Sequence, residues 1–523
     1  MNKGRILWID DEIELLRPHL ILLKEKGYEV ETASNSEDGI ELIRAKHYDI
    51  VFLDETMVGM SGLEALPQIK EIDPITNVVM VTKNEEESLM EEAIGKSIDD
   101  YLTKPVNPTQ ILLTCKKFLE EGRIKQEQLI QTFLSSFNTL SQQISYYQNF
   151  EDWVDIYQKL VDWSIKLERI PETGLDQSLG DLWHQANAEF SKFVETNYRK
   201  WLNDKPEEGN PLLSPHVTSR YLEPLLKSEN PVFFFVIDCL RYDQWLVMQD
   251  LLLPYYSVKT NFYSSMLPTA TPYARNAIFA GLYPIQIKQY YPQWWNVEAN
   301  SEDHKQNANE KELFESWLDR KKIKLRTKLN FYKIFDTDFG KKVERELVDI
   351  LDNHLTTIVI NAVDMIAHSR SDYAILKEIA PDEAAYRSLT RSWFTYSSLF
   401  SMFKIIAQQK NATILITTDH GSIRCMRGVQ ILGDRETSTN LRYKFGKNVK
   451  TDTKSAMLIK DLEEIKIPRQ GISVSNFISK EDYYFVYPTD YHYYLNKYRD
   501  SFQHGGISLE EMIIPVIELK PRK

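Results

Sequence analysis

Three stretches decide the fold of the C-terminal half of the chain: Val232–Asp238 (VFFFVID), Thr356–Asp364 (TTIVINAVD) and Thr413–His420 (TILITTDH). Each is a short apolar run, rich in β-branched or aromatic residues, that leads into an aspartate. Runs of this kind are typical of buried strands in a parallel sheet. Open α/β sheets place their ligand-binding side chains at the carboxyl ends of such strands. The sequence therefore predicts a doubly wound α/β domain with a site at that edge.

Aspartate and histidine are ligands that hold zinc, and a hydroxyl residue can act as the nucleophile at a two-metal site. Residues of these types follow the predicted strands or stand on nearby loops: Asp238, Thr271, Asp364, His368, Asp419, His420 and His504. A lone histidine is more often a buried core group, but three of the ten histidines fall in this set. The pattern indicates a metal-dependent phosphoryl-transfer enzyme.

Thr271 stands directly before Pro272. Because proline favours the first helical position, Thr271 is predicted to cap a helix, whose N-terminal partial charge and a bound metal would lower the pKa of the hydroxyl. Thr271 is therefore the expected nucleophile, and Thr269 is the nearby competitor. Arg275, one turn into the helix, could contact a phosphate oxygen or pair with an acid.

The first 120 residues alternate between strand and helix patterns. Four predicted strands end in chemically active groups, which are Asp10 and Asp11, Asp54, Thr82, and Lys104. Clustered carboxylates bind a hard cation such as Mg²⁺, while a lysine and a hydroxyl can stabilise an aspartyl phosphate.

The matching segments are IDDE at Ile9–Glu12, DETMVGMSGLE from Asp54, VTKN from Val81 and DDYLTKP from Asp99. They resemble the receiver domain of two-component response regulators, which implies a flavodoxin-like fold. The resemblance makes Asp54 the phosphoacceptor and implies further roles: Asp10, Asp11 and Asp54 as magnesium ligands, and Thr82, Tyr101 and Lys104 as the switch residues. For Tyr101, a packed aromatic at the strand edge is an equal alternative. Val58 departs from the usual proline.

Residues 121–204 show only helical periodicity. The predicted helices are Glu120–Ser145, Phe150–Leu167 and Asp181–Trp201, the last with Ser178 as a possible cap. We interpret the region as a helical bundle acting as a rigid spacer, followed by a linker at Asp204–Pro215. The predicted domains are residues 1–120, 121–204 and 205–523.

Two further segments, LPTATPYARNAIFAGLYP from Leu267 and QHGGISLEEMIIP from Gln503, resemble the PglZ branch of the alkaline phosphatase superfamily. The resemblance runs from Ser214 to the C-terminus and is vague over Trp294–Lys341, which we interpret as an insertion or cap. It implies an alkaline-phosphatase-like domain with two Zn²⁺ ions. One would be held by Asp364, His368 and His504, and the other by Asp238, Thr271, Asp419 and His420. Attack by Thr271 on phosphorus would give a phosphothreonine that water then hydrolyses.

The combination of the three parts resembles the response regulators associated with type IX secretion. This implies phosphodiester hydrolysis of cyclic or linear oligonucleotides, although Ala274 replaces an asparagine found in related diesterases. It also implies a sensor histidine kinase, a sigma factor and secretion components as partners, and a homodimer on phosphorylation. The aromatic residues of Lys288–Trp295 and Tyr483–Tyr498 could stack on bases, pack in the core or form a subunit interface. The alternative function is a zinc-stabilised signalling scaffold with little catalytic role.

Composition excludes other classes. The net charge of −13 argues against direct binding of duplex DNA, and no basic recognition helix is evident. Neither a signal peptide nor a membrane-spanning run is predicted. Three scattered cysteines, Cys115, Cys239 and Cys425, indicate a reducing compartment, and the latter two are interpreted as small buried side chains. A cytoplasmic protein is expected.

Overall fold

A computed structural model of the chain describes residues 3–73, 75–83, 98–168, 174–204, 210–297, 306–372, 374–433, 440–446, 448–469 and 475–522. The chain divides into two compact units, Met1–Ser136 and Phe137–Lys523. The domain boundaries predicted at residues 120 and 204 stay predictions. Among the described residues, no helix is both long and apolar enough to cross a bilayer.

The first unit contains a five-stranded parallel sheet with helices against both faces. Its strands are β1 (Arg5–Ile9), β2 (Glu29–Ala33), β3 (Ile50–Asp54), β4 (Asn77–Thr82) and β5 (Asp100–Thr103), in the order β2-β1-β3-β4-β5. Its helices are α1 (Arg17–Glu25), α2 (Ser36–Ala45), α3 (Gly62–Ile72) and α4 (Pro108–Cys115), and α5 (Glu121–Ser145) runs on into the second unit. Side chains that alternate along the strands enter two apolar clusters, one on each face. The predicted flavodoxin-like fold is confirmed.

The remaining helices of the middle region are α6 (Phe150–Leu167) and α7 (Leu175–Trp201). Asn149 caps α6 through a reciprocal bond with Asp152, so α6 has the bounds predicted from the sequence. The third helix starts six residues earlier than predicted, after Gly174 in the left-handed conformation, and Ser178 lies inside it. The sequence also predicts a break between these two helices at Pro171–Gly174, of which residues 171–173 lie outside the described residues.

The middle helices pack against the C-terminal part of the same unit, and the role of this region as a rigid spacer stays a prediction. The Asn187 side chain of α7 accepts a bond from the Leu509 amide at 2.8 Å and donates to Glu510 at 3.1 Å. The Tyr198 hydroxyl accepts a hydrogen bond from the Leu267 amide at 2.7 Å. Trp153 is fully buried among the rings of the bundle. Of the predicted linker Asp204–Pro215, residues 205–209 lie outside the described residues, and Leu213 pairs with Ser264 beside the sheet.

A six-stranded mixed sheet forms the centre of the C-terminal domain. Its strands are β6 (Val232–Ile237), β7 (Tyr256–Ser264), β8 (Asn330–Ile334), β9 (Leu355–Ile360), β10 (Thr413–Thr417) and, near the C-terminus, β18 (Ile513–Pro521). The order is β7-β18-β10-β6-β9-β8. The pairs β10-β6, β6-β9 and β9-β8 are parallel, as the apolar runs predicted, while β18 is antiparallel to both of its neighbours.

Helices cover the two faces of this sheet, and shorter strands form small sheets beside it. The helices are α8 (Tyr242–Leu252), α9 (Thr271–Ala280), α10 (Pro284–Tyr290), α11 (Glu310–Arg320), α12 (Thr337–Leu347), α13 (Ala362–Asp372), α14 (Ala374–Ile379), α15 (Glu383–Tyr396), α16 (Ser398–Ile406), α17 (Tyr491–Tyr498) and α18 (Leu509–Met512). The short strands are β11 (Ile423–Cys425), β12 (Arg427–Gln430), β13 (Tyr443–Gly446), β14 (Ala456–Ile459), β15 (Ser475–Ser479), β16 (Tyr483–Val486) and β17 (Ser501–Gln503).

The segment Trp294–Lys341, expected to be an insertion or cap, belongs to the core of the domain. Its strand β8 is an edge strand of the central sheet, and Phe314 and Trp317 of α11 are buried in the main apolar cluster. Residues 298–305 lie outside the described residues. The sequence pattern missed this contribution because the burial pattern of β8 is only intermediate along its length.

Candidate metal centre

The carboxyl edge of the central sheet gathers the seven residues predicted for it. Asp238 follows β6 directly, Asp419 and His420 follow β10, and Asp364 lies in the first turn of α13 after β9. His504 follows β17. Two groups have ligand atoms that all lie within 4.8 Å of one another: Asp364, His368 and His504, and Asp238, Asp419 and His420. This division matches the two ligand sets implied by the resemblance.

Thr271 joins the second group. Its Oγ1 lies 3.0 Å from Nε2 of His420 and 3.4 Å from Oδ1 of Asp238. Thr271 is the first residue of α9 and Ala270 occupies the cap position, so the predicted capping role is wrong by one residue. The hydroxyl nevertheless stands at the N-terminus of a helix, where the partial positive charge favours an anionic oxygen.

Thr269, the competing nucleophile, is engaged elsewhere. Its hydroxyl donates to the Gly506 carbonyl at 2.8 Å and accepts from the Gly505 amide at 3.1 Å. Its own carbonyl lies 3.2 Å from Nδ1 of His504. Thr269 therefore fastens the loop that carries His504, and its hydroxyl is not directed at the acids of the site.

Hydrogen bonds at Nδ1 orient two of the histidines. Nδ1 of His420 lies 3.1 Å from the Gly421 carbonyl. Nδ1 of His504 lies 3.2 Å from the Thr269 carbonyl. With Nδ1 donating, each Nε2 is available as a metal ligand. The His420 and His504 rings are stacked with centroids 4.2 Å apart. The two groups therefore meet along this pair of rings.

The carboxylates of the site fit a cation. Oδ1 of Asp364 and Oδ2 of Asp419 are buried and accept no hydrogen bond from the described residues. Burial raises the pKa of Asp238 well above its usual value, although Arg275 opposes the shift, and burial also raises the pKa of Asp419. Buried carboxylate oxygens that accept no hydrogen bond are costly, and metal ions of the kind held by aspartate and histidine would satisfy them. The residues present therefore fit the two metals that the resemblance implies.

The two groups differ in exposure. The side chains of Asp238, Asp419 and His420 are 2%, 0% and 0% exposed, whereas that of His368 is 45% exposed. Burial lowers the pKa of His420, which favours the neutral ring that a metal requires. Burial would raise the pKa of Asp364, but His368, followed by His504 and His420, holds it well below the usual value. The first group thus opens to solvent and the second is enclosed.

Arg275 pairs with acids, which was one of its two predicted roles. Its Nη1 lies 2.6 Å from Oδ2 of Asp238 and its Nε 2.6 Å from Oε1 of Glu310. Lys333 adds a second cation 2.9 Å from Glu310, and the Asn361 amide donates to Asp238 at 3.0 Å. Oδ2 of Asp238 is therefore fixed, and Oδ1 is left toward Thr271. Sequence reasoning missed Glu310, Lys333 and Asn361, although Asn361 directly follows an apolar run.

Two backbone features surround Asp238 and His420. Cys239 has a φ of 64°, a strained conformation for a residue other than glycine, and burial raises its thiol pKa well above the usual value. The burial of Cys239 agrees with the prediction that it is a small buried side chain. Gly421, which directly follows His420, is a residue that the sequence predicts to allow a sharp turn, but its φ is not positive. Instead, a Cβ there would lie 2.0 Å from the Glu510 carbonyl, so close packing requires glycine.

The aromatic segments divide between core and site. Tyr484 and the partly buried Tyr491, Tyr494 and Tyr498 pack together with β11. Trp294 stacks on Tyr291, and Trp295 lies 6.3 Å from the ring of Tyr273, two residues after Thr271. Core packing accounts for most of these rings, and Trp295 also lies beside Tyr273 of α9.

In the first unit, the predicted receiver residues also converge. Ligand atoms of Asp10, Asp11 and Asp54 lie within 4.8 Å of one another. Nζ of Lys104 is 2.9 Å from both Asp10 and Asp54. Burial raises the pKa of Asp54, although the hydrogen bond from Lys104 lowers it. The arrangement suits a divalent cation and an anionic adduct on Asp54.

The switch residues lie at the same end of the sheet. The Thr82 hydroxyl donates to the carboxylate of Glu55, a partner that the sequence did not suggest. Tyr101 is 43% exposed and Val58 84% exposed. The ring of Tyr101 is therefore not a fully packed core aromatic, and its switch role stays a prediction.

Three family models match the chain. The receiver domain of response regulators matches residues 6–116, the PorX response regulator linker domain matches residues 123–202, and the BREX system PglZ alkaline phosphatase-like domain matches residues 217–519. The last covers more than half of the chain.

Curated relatives match over the receiver region. The alginate biosynthesis transcriptional regulatory protein AlgB of Pseudomonas syringae is 36% identical over 119 residues, 23% of this chain and 27% of its own length. The uncharacterized transcriptional regulatory protein YkoG of Bacillus subtilis is 32% identical over 137 residues, 26% of this chain and 59% of its own. The chain thus spans less than two thirds of the length of these relatives.

Solved structures match the same region. A CheY-like receiver from Methanospirillum hungatei is 30% identical, covering 22% of this chain and 94% of its own, with a TM-score of 0.22. The receiver domain of DrrB is 30% identical, covering 23% of this chain and 99% of its own, with a TM-score of 0.22. On the family matches, the chain belongs to the PglZ alkaline phosphatase-like family, as a two-component response regulator in which a receiver domain and a PorX-type linker precede the phosphatase-like output domain.

Proposed function

We propose that the output domain is a zinc-dependent phosphodiesterase that uses Thr271 as its nucleophile and acts on cyclic or linear oligonucleotides. One observation carries this proposal: the Thr271 hydroxyl lies within 3.4 Å of both Asp238 and His420 at a helix N-terminus. A purely structural metal site has no need of an alcohol so placed.

Zinc ions would be held by Asp364, His368 and His504 on one side and by Asp238, Asp419 and His420 on the other. When bound, they would supply Lewis-acid stabilisation of charge on the phosphate and a lower pKa for the attacking hydroxyl. The Thr271 oxygen forms a bond to phosphorus as the ester P–O bond breaks, and the proton of Thr271 ends on the leaving alcohol. Water then cleaves the phosphothreonine, which returns the hydroxyl to Thr271 and releases the phosphate product. Two inversions give net retention at phosphorus.

Other residues act by position. Arg275 and Asn361 hold Oδ2 of Asp238, so that Oδ1 keeps its orientation toward Thr271. Both Nε and Nη1 of Arg275 are engaged with carboxylates, and we therefore assign it a positioning role in place of a phosphate contact. Trp295, whose ring lies beside Tyr273, is the aromatic side chain that we assign to stack on a base.

Metal content and substrate range test this proposal. Protein purified without chelators is expected to hold two equivalents of zinc per chain and to hydrolyse diesters in a screen of mononucleotide, cyclic and oligonucleotide substrates. Replacing His368 with asparagine should remove about one equivalent, since it takes one of three protein ligands from the more exposed group. Replacing the exposed His492 of α17 is the matched control. Absence of stoichiometric transition metal would contradict the proposal.

We further propose that a sensor histidine kinase phosphorylates Asp54, with Mg²⁺ on Asp10, Asp11 and Asp54 and with Lys104 neutralising the phosphate. The family resemblance also supports a sigma factor and type IX secretion components as partners. A scaffold function through these partners is compatible with the same metal site. Signalling in cells by a variant without the Thr271 hydroxyl would favour the scaffold.

Phosphorylation of Asp54 is expected to convert a monomer into a homodimer, because charge at Asp54 reorganises the surface around Thr82 and Tyr101. Beryllofluoride or acetyl phosphate should raise the sedimentation coefficient of the wild-type chain. Replacing Asp54 with asparagine should abolish the change, and replacing the exposed Glu41 with glutamine should leave it intact. An unchanged sedimentation coefficient for the wild type would refute dimerisation.

A further inference from the structure

A cavity of about 600 Å³ lies between the linker helices α6 and α7 and the phosphatase-like domain. Its walls include Tyr157 and Val161 of α6, Trp183 of α7, and Ile423 and Met426 from the other side. None of the proposed metal ligands lines it. The volume is that of a site for a drug-sized ligand or a short peptide rather than for a single ion.

The walls are mainly apolar but carry an excess of negative charge. Four arginines line the cavity, which are Arg241, Arg387, Arg424 and Arg427, against eight carboxylates, which are Glu168, Asp176, Asp243, Asp382, Glu383, Glu481, Asp482 and Glu510. Burial raises the pKa of Glu510 to about 7, so it is only partly charged at neutral pH. The carboxylates outnumber the arginines even when Glu510 is left out. This excess of negative charge favours a cationic ligand over an anionic one.

The arginines are already neutralised. Arg241 pairs with Asp243 and Glu383, and Arg387 pairs with Asp243 and Glu168. Arg424 pairs with Asp500, and Arg427 with Glu481 and Asp482. By contrast, the exposed carboxylates of Asp176 and Asp382 have no ion pair among the described residues. These two acids are the open charges of the cavity.

Gly180 leaves room beside them. It lies inside α7, where glycine weakens a helix, and a Cβ built on it would meet nothing within 4 Å. Packing within the chain therefore does not require glycine at position 180. A ligand group that approaches α7 closely would require it. Trp183 follows on the same side of α7, is half-buried, and is anchored by a 3.1 Å bond from its Nε1 to Ser164. Its indole ring can stack with a cation.

We propose that this cavity binds a short basic peptide segment of a partner protein. An arginine or lysine would lie between Trp183 and the carboxylates of Asp176 and Asp382, with an apolar neighbour over Gly180. The wall continues toward the metal centre, because Arg241 stands three residues after Asp238 and its Cγ lies 3.3 Å from the position of a Cβ on Gly421. The site does not depend on the proposed catalytic function.

Calorimetric titration of the full chain with the peptide acetyl-Leu-Arg-Leu-Arg-amide tests the proposal. We expect saturable binding that weakens with salt, and about a tenfold loss of affinity in the double variant Asp176→Asn, Asp382→Asn, since two exposed ion pairs are lost. Asp382 accepts a bond from the Ala385 amide as the cap of α15, a role that asparagine can keep. The control is Asp336→Asn with Asp338→Asn, the equivalent cap and first-turn pair of α12.

A second variant fills the cavity. Gly180→Phe should abolish binding while the thermal midpoint is unchanged or higher, because the helix gains a better helix former and the space is open. Gln177→Phe, an exposed position of α7 outside the cavity, is its control. The proposal is overturned if the peptide does not bind, if acetyl-Leu-Glu-Leu-Glu-amide binds equally, or if agmatine binds more tightly than the peptide. It is also overturned if Gly180→Phe or the double variant Asp176→Asn, Asp382→Asn binds the peptide as the wild type does.

Discussion

Replacing Thr271 with valine is expected to lower phosphodiesterase turnover by about 10⁶-fold, the order of loss seen when an enzyme's nucleophile is removed. Valine keeps the shape of threonine but has no oxygen to attack phosphorus. The aspartates and histidines of both groups stay in place, so zinc content should not change. Turnover with a diester substrate and metal analysis on the same sample check both halves of the prediction.

Thr269→Val is the matched control, two residues away on the same segment. Its hydroxyl bonds with the Gly506 carbonyl and the Gly505 amide, so valine would leave two buried backbone groups unsatisfied, at a cost of about 1–3 kcal/mol each. We expect this variant to lose stability and metal from the group that contains His504. If Thr271→Val kept its activity, Thr271 would not be the nucleophile.

The contrast between these threonines shows how far sequence reasoning reaches. The carboxyl ends of parallel strands meet at one edge of a sheet, so apolar runs ending in Asp238 and Asp419 were enough to predict convergence. Nothing in the sequence distinguishes a threonine at the metal centre from one that fastens a loop. The distinction depends on Gly506, which is more than two hundred residues away in the chain.

Other parts of the fold depended on contacts that no local pattern carries. The edge strand Asn330–Ile334 is half-buried along its whole length, so it lacks the apolar run of the central strands. The middle helices were correctly predicted as helices, but their attachment to the phosphatase-like domain rests on single polar contacts such as that of Asn187 with Glu510. Arg275 had two equal roles until the structure placed it between Asp238 and Glu310.

The loop that carries His504 depends on a buried ion pair. The carboxylate of Glu511 accepts bonds from Nη2 of Arg442 at 2.5 Å, from the Gly506 amide at 2.8 Å and from the Ser508 hydroxyl at 2.8 Å. Arg442 and Glu511 are both 0% exposed. A Cβ on Gly506 would lie 2.3 Å from the Arg442 guanidinium, so the loop packs directly on the arginine.

Replacing Glu511 with glutamine is therefore expected to destabilise the domain by about 3–5 kcal/mol, because it leaves the Arg442 charge buried without its partner. Loss of the ion pair would also loosen the loop that carries His504. The group of Asp364, His368 and His504 should therefore lose zinc before the enclosed group does. Denaturant unfolding and metal analysis measure the two effects.

The adjacent Glu510→Gln is the matched control, since it makes the same change one residue earlier. Burial raises the pKa of Glu510 to about 7, so the folded protein already holds this side chain partly neutral at pH 7, and glutamine should cost little there. Because the pKa of Glu510 rises from 4.5 to about 7 on folding, the control should gain stability relative to the wild type as pH rises from about 4.5 through 7, and the difference should level off above that. Equal losses from both variants would mean that the Arg442 pair does not hold the loop. A double variant that removes both charges of that pair should cost less than the sum of the two single replacements, because the unpaired buried charge is then absent.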